Sequence, residues 1–219
     1  MTTRRTLADA VRRLRDERGL TLVEMMVATV ILGLVLLVFL STFASIQRAT
    51  SREEERSRNN DEARLAVEQL DREIRSGNVL YDPARENAGI DSCDGCVPGY
   101  TLRVYTQSNA PTRAGFTCRL WRVDEEEQLQ TRSWPPLHPE QATGWRTVAT
   151  GIVNLVEGQV AFERSDDPSR ADRTVNVRLL VNDDHANHPG DTVQIEVSLT
   201  GRNTLFDYPQ DVCDQVPTG

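Results

Sequence analysis

The chain has 219 residues, 26% of them charged, and a formal net charge of −8. That is enough for one ordinary domain plus an appendage. The acidic balance argues against a general nucleic-acid-binding surface, which is usually a basic stripe.

Residues 1–19 are polar and basic, with six arginines (Arg4, Arg5, Arg12, Arg13, Arg15, Arg18) against three acids (Asp9, Asp16, Glu17). A flank of this kind holds the N-terminus on the cytoplasmic side and sends the rest of the chain across the membrane. From Leu20 to Ala44 the chain is apolar, and Met25 to Leu40 is interrupted only by Thr29 and Gly33. Those 25 residues are long enough to span a bilayer of about 30 Å as a helix. One carboxylate, Glu24, sits near the start of the run. An ionisable group at the centre of a membrane helix costs roughly 2.5–3.5 kcal/mol, so its presence asks for a reason.

No proline interrupts the chain before Pro83, and the helical reading continues accordingly. Ser51 to Glu62 is charged all round and predicts an exposed stretch of helix. Apolar residues return at Ala63, Val67, Leu70 and Ile74, on one helical face, and Ser76-Gly77-Asn78 reads as the stop. A continuous Thr21–Ser76 helix would be about 84 Å long at ~1.5 Å per residue. Its first half must then be buried in a membrane or in other subunits.

After Gly77 the pattern changes. Asp82 to Gly99 is rich in turn residues. Short alternating or β-branched runs come next, at Tyr100–Thr106, Phe116–Val123, Trp145–Thr150, Gln159–Arg164, Thr174–Val181 and Thr192–Leu199, separated by Pro, Gly, Asn and Asp clusters. A helix and then consecutive strands predicts an α+β fold: a long N-terminal helix, with a transmembrane half and an amphipathic half, packed on an antiparallel β-sheet head. The tail, Tyr208–Gly219, has no periodicity, and Cys213 is placed to tie it back.

All four cysteines, Cys93, Cys96, Cys118 and Cys213, come after the apolar segment. An even count in an exported domain reads as disulfides. Cys93-x-x-Cys96 has zinc-knuckle spacing, but no second knuckle faces it, and it precedes a strand rather than opening a helix as redox pairs do. Three connectivities stay open. The segment Asp183-Asp184-His185-Ala186-Asn187-His188-Pro189-Gly190-Asp191 concentrates metal-ligand residue types, yet it joins two expected strands and fits no Ca²⁺-loop spacing, so it reads as a solvated hairpin loop. The acidic run Asp124–Glu127 reads as a turn, and Trp121, Trp134 and Trp145 as head core or loop anchors. There is no nucleophile elbow and no phosphate-cradling glycine loop. No catalytic residue, metal or cofactor is expected, and the chain reads as a non-enzyme.

Arg18-Gly19-Leu20-Thr21-Leu22-Val23-Glu24 resembles the prepilin signature of type IV pilins and type II secretion pseudopilins. A short basic leader ends in Gly, an apolar residue comes after it, Glu stands four positions later, and an apolar helix continues. Leu20 stands where the family most often has Phe, and keeps the bulky apolar character. The resemblance implies that prepilin peptidase cuts between Gly19 and Leu20, that Leu20 is N-methylated, and that Glu24 faces the N-terminal amine of a neighbouring subunit in the filament. It divides the chain into a leader (1–19), the transmembrane half of the helix (20–44), its amphipathic half (45–77) and the exported head (78–219). Ala63–Arg75 and Gly151–Phe162 are similar to the helix end and the strand–turn–strand region of PilW-like minor pilins and J-type minor pseudopilins. The implied role is initiation or capping of pilus or pseudopilus assembly. The implied partners are prepilin peptidase, other major and minor pilin subunits and the inner or cytoplasmic membrane, with DNA or a surface ligand at the tip as a further possibility. The implied location is a single-pass membrane protein with a cytoplasmic N-terminus and an exported head, entering the filament on assembly. A different reading is a secreted or membrane-anchored extracellular binding domain, an adhesin or DNA receptor outside any filament. Thr42-Phe43-Ala44 offers small residues for ordinary signal-peptide cleavage. That reading leaves Gly19 and Glu24 without a role.

Overall fold

The computed structural model of the protein describes residues 21–86, 96–107, 115–170, 173–202 and 208–217. One long helix, α1 (Leu22–Arg75), is followed by eight strands: β1 (Gly77–Leu80), β2 (Thr101–Gln107), β3 (Phe116–Val123), β4 (Gln128–Trp134), β5 (Arg146–Thr150), β6 (Phe162–Arg164), β7 (Thr174–Val181) and β8 (Val193–Thr200). The architecture is the expected α+β one. The chain forms two compact units, an N-terminal one ending at Arg52 and a head beginning at Glu53.

In the N-terminal unit every described apolar side chain of α1 is exposed or nearly so, from Leu22 at 76% to Ile46 at 58%. By length and composition the helix can cross a membrane; its most apolar 18-residue window has a mean hydropathy of 2.7. The hydroxyls of Thr29, Ser41 and Thr42 turn back onto the carbonyls of Met26 and Val38 at 2.8–2.9 Å. Each of these three hydroxyls is thereby satisfied within the helix, as an apolar environment demands.

In the head, α1 buries Asn59, Ala63, Ala66, Leu70, Glu73 and Ile74, one face of the helix. Ser51–Glu62, expected to be exposed, is mostly so, but Asn59 is buried. The helix stops at Arg75, because the chain must turn at once into β1 beneath Ile74. A Cβ on Gly77 would lie 2.9 Å from the Ile74 carbonyl oxygen.

The head holds two antiparallel sheets where the sequence suggested one: a five-stranded sheet in the order β1-β2-β3-β4-β5 and a three-stranded sheet in the order β6-β7-β8. Leu80, Leu102, Val104, Trp121, Val123 and Leu129 point from the first sheet toward α1. They share a core with Phe162, Val175, Val177, Leu179 and Leu199 of the second. Asn154, fully buried, ties the connection between the two sheets to β7. Its Nδ2 donates to the carbonyls of Gln159 and Arg178, and its Oδ1 accepts from the Leu180 N–H at 2.9 Å. Gly151 holds φ +70° in the same connection, where a Cβ would meet the Asn182 carbonyl oxygen at 3.2 Å. Only glycine adopts that conformation at little cost.

The opposite face of the five-stranded sheet is also covered. Val79, Tyr81, Tyr105, Cys118, Leu120 and Trp134 form a second core with Cys213 and Val216 of the tail. Two strands thus went unread in the sequence, β1 and β4, and both lie in this doubly covered sheet.

Candidate functional site

The N-terminus of α1 is built by its own sequence. Thr21 precedes the first helical residue, and its Oγ1 accepts the Glu24 N–H at 3.2 Å while its carbonyl accepts the Met25 N–H. Thr-x-x-Glu is the capping-box pattern, with the acid in the third helical position. A carboxylate in the first turn also meets the positive end of the helix dipole, an effect of about 0.3–1 kcal/mol at an exposed site. Local structure therefore favours Glu24 at this position. Among the described residues no charged partner meets it: Glu24 is exposed, and Leu22, Val23, Met25 and Met26 around it are bare. The arrangement is a fixed negative charge at the capped end of an uncovered apolar helix. Gly19 and Leu20 lie outside the described residues.

A second carboxylate of α1 meets the opposite environment. Glu73 is buried on the head side, where Oε2 accepts the Trp121 Nε1–H at 2.8 Å and Oε1 accepts from Gln69 Nε2 at 2.9 Å. The Arg119 guanidinium lies 3.3 Å from the same Oε1. Next to it, Thr106 Oγ1 donates to the Glu73 carbonyl, and Ser76 and Thr106 share a hydroxyl contact. These bonds fix the last turn of the helix on β2 and β3. Glu73 went unread in the sequence. Its signal was an acid beside the apolar positions Leu70 and Ile74, legible only with knowledge of what faces it.

The tail is held over the outer sheet face by a covalent bond and a buried polar cluster. Cys118 and Cys213 form a disulfide with Cα atoms 5.7 Å apart. Cys96 is disulfide-bonded too, while Cys93 lies outside the described residues. Arg103, buried in β2, donates to the Cys213 carbonyl at 2.7 Å, pairs with the buried Glu86 at 3.3 Å and stacks on the Tyr81 ring at 4.1 Å. Tyr81 Oη accepts the Cys213 N–H. Burial pushes the Tyr81 phenol up to about 12. Burial likewise raises the Glu86 carboxyl, with Arg103 working against it.

The remaining candidates are dispersed. His185 and His188 do not converge: His188 Nδ1 lies 2.8 Å from Asp184, and His185 Nδ1 lies 3.6 Å from Glu157 on another loop. Among the described residues no group of three or more His, Cys, Asp or Glu could hold a metal ion. The loop is not wholly solvated, because Asp183 and Asp191 pair with Arg56 of α1. Asp124–Glu127 turns β3 into β4, with the Asp124 carboxylate accepting the Gln128 N–H. Trp121 and Trp134 are core, and the guanidinium groups of Arg122 and Arg132 lie over the Trp145 ring, at 3.9 and 4.3 Å.

Residues 14–40 match the family model of the prokaryotic N-terminal methylation motif. Comparisons with curated proteins and with solved structures gave no match. The matched segment contains Gly19, Leu20, Thr21 and Glu24 and runs into the apolar half of α1, which precedes the antiparallel-sheet head. The chain therefore carries a prokaryotic N-terminal methylation motif at the start of a long apolar helix.

Proposed function

We propose that this protein is a minor pilin, PilW-like in its head, that works by assembly rather than catalysis and helps to start or cap a pilus or pseudopilus. The observation that carries the reading is the exposed Glu24 on the capped first turn of a bare apolar helix. In a bilayer or a filament core, a carboxylate facing only apolar neighbours is costly alone and strongly attracted to an opposite charge. Cleavage after Gly19 creates such a charge, the α-amine of Leu20. The Glu24 of one subunit would meet the Leu20 amine of the next, so that docking satisfies both. The head supports a specialised position, being a two-sheet, disulfide-bonded domain with long connections rather than a minimal cap on the helix.

The test is incorporation. Glu24→Ala should leave the protein folded, cleaved and present in the membrane, with its Cys118–Cys213 bond formed, while the amount in filaments sheared from the cells falls at least tenfold. Glu24→Asp, which keeps the charge, should lose less. Equal incorporation of wild type and Glu24→Ala would refute the assembly role assigned to this carboxylate. A mature chain that does not begin at N-methylated Leu20 would refute the processing on which it depends.

A further inference from the structure

Strand β8 leaves an open sheet edge. It has eight residues, pairs with β7 throughout without a register shift, and no described strand lies on its other side. The other edge strands are less regular. β1 has four residues and a bulge, β6 has three, and β5 meets β4 with a shift at Leu129/Gln130. Proteins usually protect edges by making them short, bulged or charged; β8 has Glu196 alone for this.

The phase of the exposed groups is set by the ladder. The Gly201 N–H donates to the Arg173 carbonyl at 2.7 Å, just beyond the Thr174–Thr200 pair. Hydrogen-bonded pairs alternate in an antiparallel ladder, so Val193, Ile195, Val197 and Leu199 bond to β7. The N–H and C=O groups of Gln194, Glu196, Ser198 and Thr200 therefore point away from it. On the far side of β7 the phase agrees: the N–H groups of Arg178 and Leu180 go to Ala161 and Asn154.

The apolar face of β8 is unfinished at one end. Leu199 is 3% exposed but Val193 is 42% exposed, with Ile195 and Val197 half-buried. Clefts open between β8 and α1 at both ends of the strand. One, of about 360 Å³, is lined by Glu53, Arg56, Asn60, Arg64, Asp191 and Val193. The other, of about 460 Å³, is lined by Val67, Asp71, Arg75, Val197 and Leu199. Together they give an open edge, an apolar strip and a mixed-charge rim formed by helix residues.

We propose that β8 accepts an extended strand from a neighbouring pilin-type subunit, which adds to the three-stranded sheet beside α1. The proposal rests on the assembly reading above. The occupant follows from that reading: the helix that lines these clefts is the one whose apolar half neighbouring subunits would cover in a filament. Subunits in a filament meet head to tail, so the donor edge is a different surface from β8 itself. The incoming strand would bond to the outward groups of Gln194, Glu196, Ser198 and Thr200 and lay alternate apolar side chains over Val193, Ile195 and Val197.

Ser198→Pro tests this in the full-length chain. Proline removes an N–H that β7 does not use, as edge strands tolerate, but it denies that bond to an added strand. Ser198→Ala controls for the lost hydroxyl contact to Asn176. Fold is read from the Cys118–Cys213 bond and from hydrogen exchange of the β7-bonded amides of Ile195 and Val197. The expected result is that Ser198→Pro keeps both signatures yet enters sheared filaments at least tenfold less than Ser198→Ala. A Val193→Asp chain, with β8 backbone intact, should also incorporate poorly. Incorporation of Ser198→Pro at the Ser198→Ala level, or loss of its fold signatures with Val193→Asp incorporating normally, overturns strand addition and leaves the minor-pilin reading standing. Concentration-dependent dimers of the purified chain that Ser198→Pro abolishes would assign the edge to a second copy instead. A wild-type chain missing from filaments sinks both readings.

Discussion

Two glutamates on one helix show how burial decides what a carboxylate does. Glu24 has a local reason to sit in the first turn, since Thr21 and the helix dipole favour it there, but it has no partner among the described residues around it. It was legible in the sequence because nothing polar stands near it except threonine. Glu73 was not legible, since it stands among Glu68, Asp71, Arg72 and Arg75 in a stretch where acids are common. Its partners Trp121 and Arg119 come from β3, and only the fold brings them together. Replacing it by alanine strands the Trp121 indole N–H and leaves Arg119 without its acid. A buried group without its partner costs about 1–3 kcal/mol, more when charged. Glu73→Ala should therefore destabilise the head by roughly 2–4 kcal/mol, and Glu73→Gln, which can still accept the indole N–H, by less. Thermal unfolding of the detergent-solubilised chain, followed by tryptophan fluorescence, measures the difference. Equal effects of the two substitutions would show that charge, rather than the hydrogen bonds, fixes the helix end.

At the scale of elements, the helix and most strands could be read because their apolar residues recur with the expected period. β4 could not. Its helix-facing positions hold Leu129 and Thr131, while its outer positions hold Gln128, Gln130, Arg132 and Trp134, so alternation is lost. That outer face becomes core only because a non-periodic tail lies on it, with the guanidinium groups of Arg122 and Arg132 over the Trp145 ring. β1 was hidden by its length of four residues and by its position directly after the helix stop. The tail's attachment was foreshadowed by Cys213 alone, and its partner could not be deduced from spacing. The bridge to Cys118 closes a loop across a sequence separation of 95 residues. Loops of that order lose enough unfolded-state freedom to stabilise by about 2–4 kcal/mol in practice. Replacing both Cys118 and Cys213 by serine should lower stability by that amount and uncover Tyr81, Leu120 and Trp134. Limited proteolysis should then remove the tail before the head unfolds. A tail that stays protected would mean that Arg103, Tyr81 and Arg132, whose guanidinium donates to the Pro217 carbonyl, suffice to hold it.

At the scale of the molecule, the chain separates two kinds of burial. The described residues of the N-terminal unit have almost none of their own, and their apolar surface has to be covered by lipid or by other subunits. The head is self-contained: all the α1 residues in its cores lie at Asn59 or beyond, and both faces of its larger sheet are covered from within. Mean composition concealed this division, because the charged head outweighs the apolar run. The division predicts where the chain can be cut. A chain beginning at Ser51 keeps Ser51-Arg52-Glu53-Glu54, a capping-box sequence able to restart the helix, and keeps every buried residue of the head. It should be soluble and monomeric without detergent, form the Cys118–Cys213 bond and unfold cooperatively. A chain beginning at Leu65 loses Arg56, Asn59 and Ala63, and with them the pairing to Asp183 and Asp191 and the contact of Asn59 with Thr150. It should unfold at a temperature lower by several degrees, since about 1 kcal/mol shifts the midpoint of a domain this size by about 2–4 °C. Sedimentation and thermal unfolding of the two chains check both expectations. If the longer chain aggregates, then the first half of the helix does more than anchor the protein, and the head depends on it to fold.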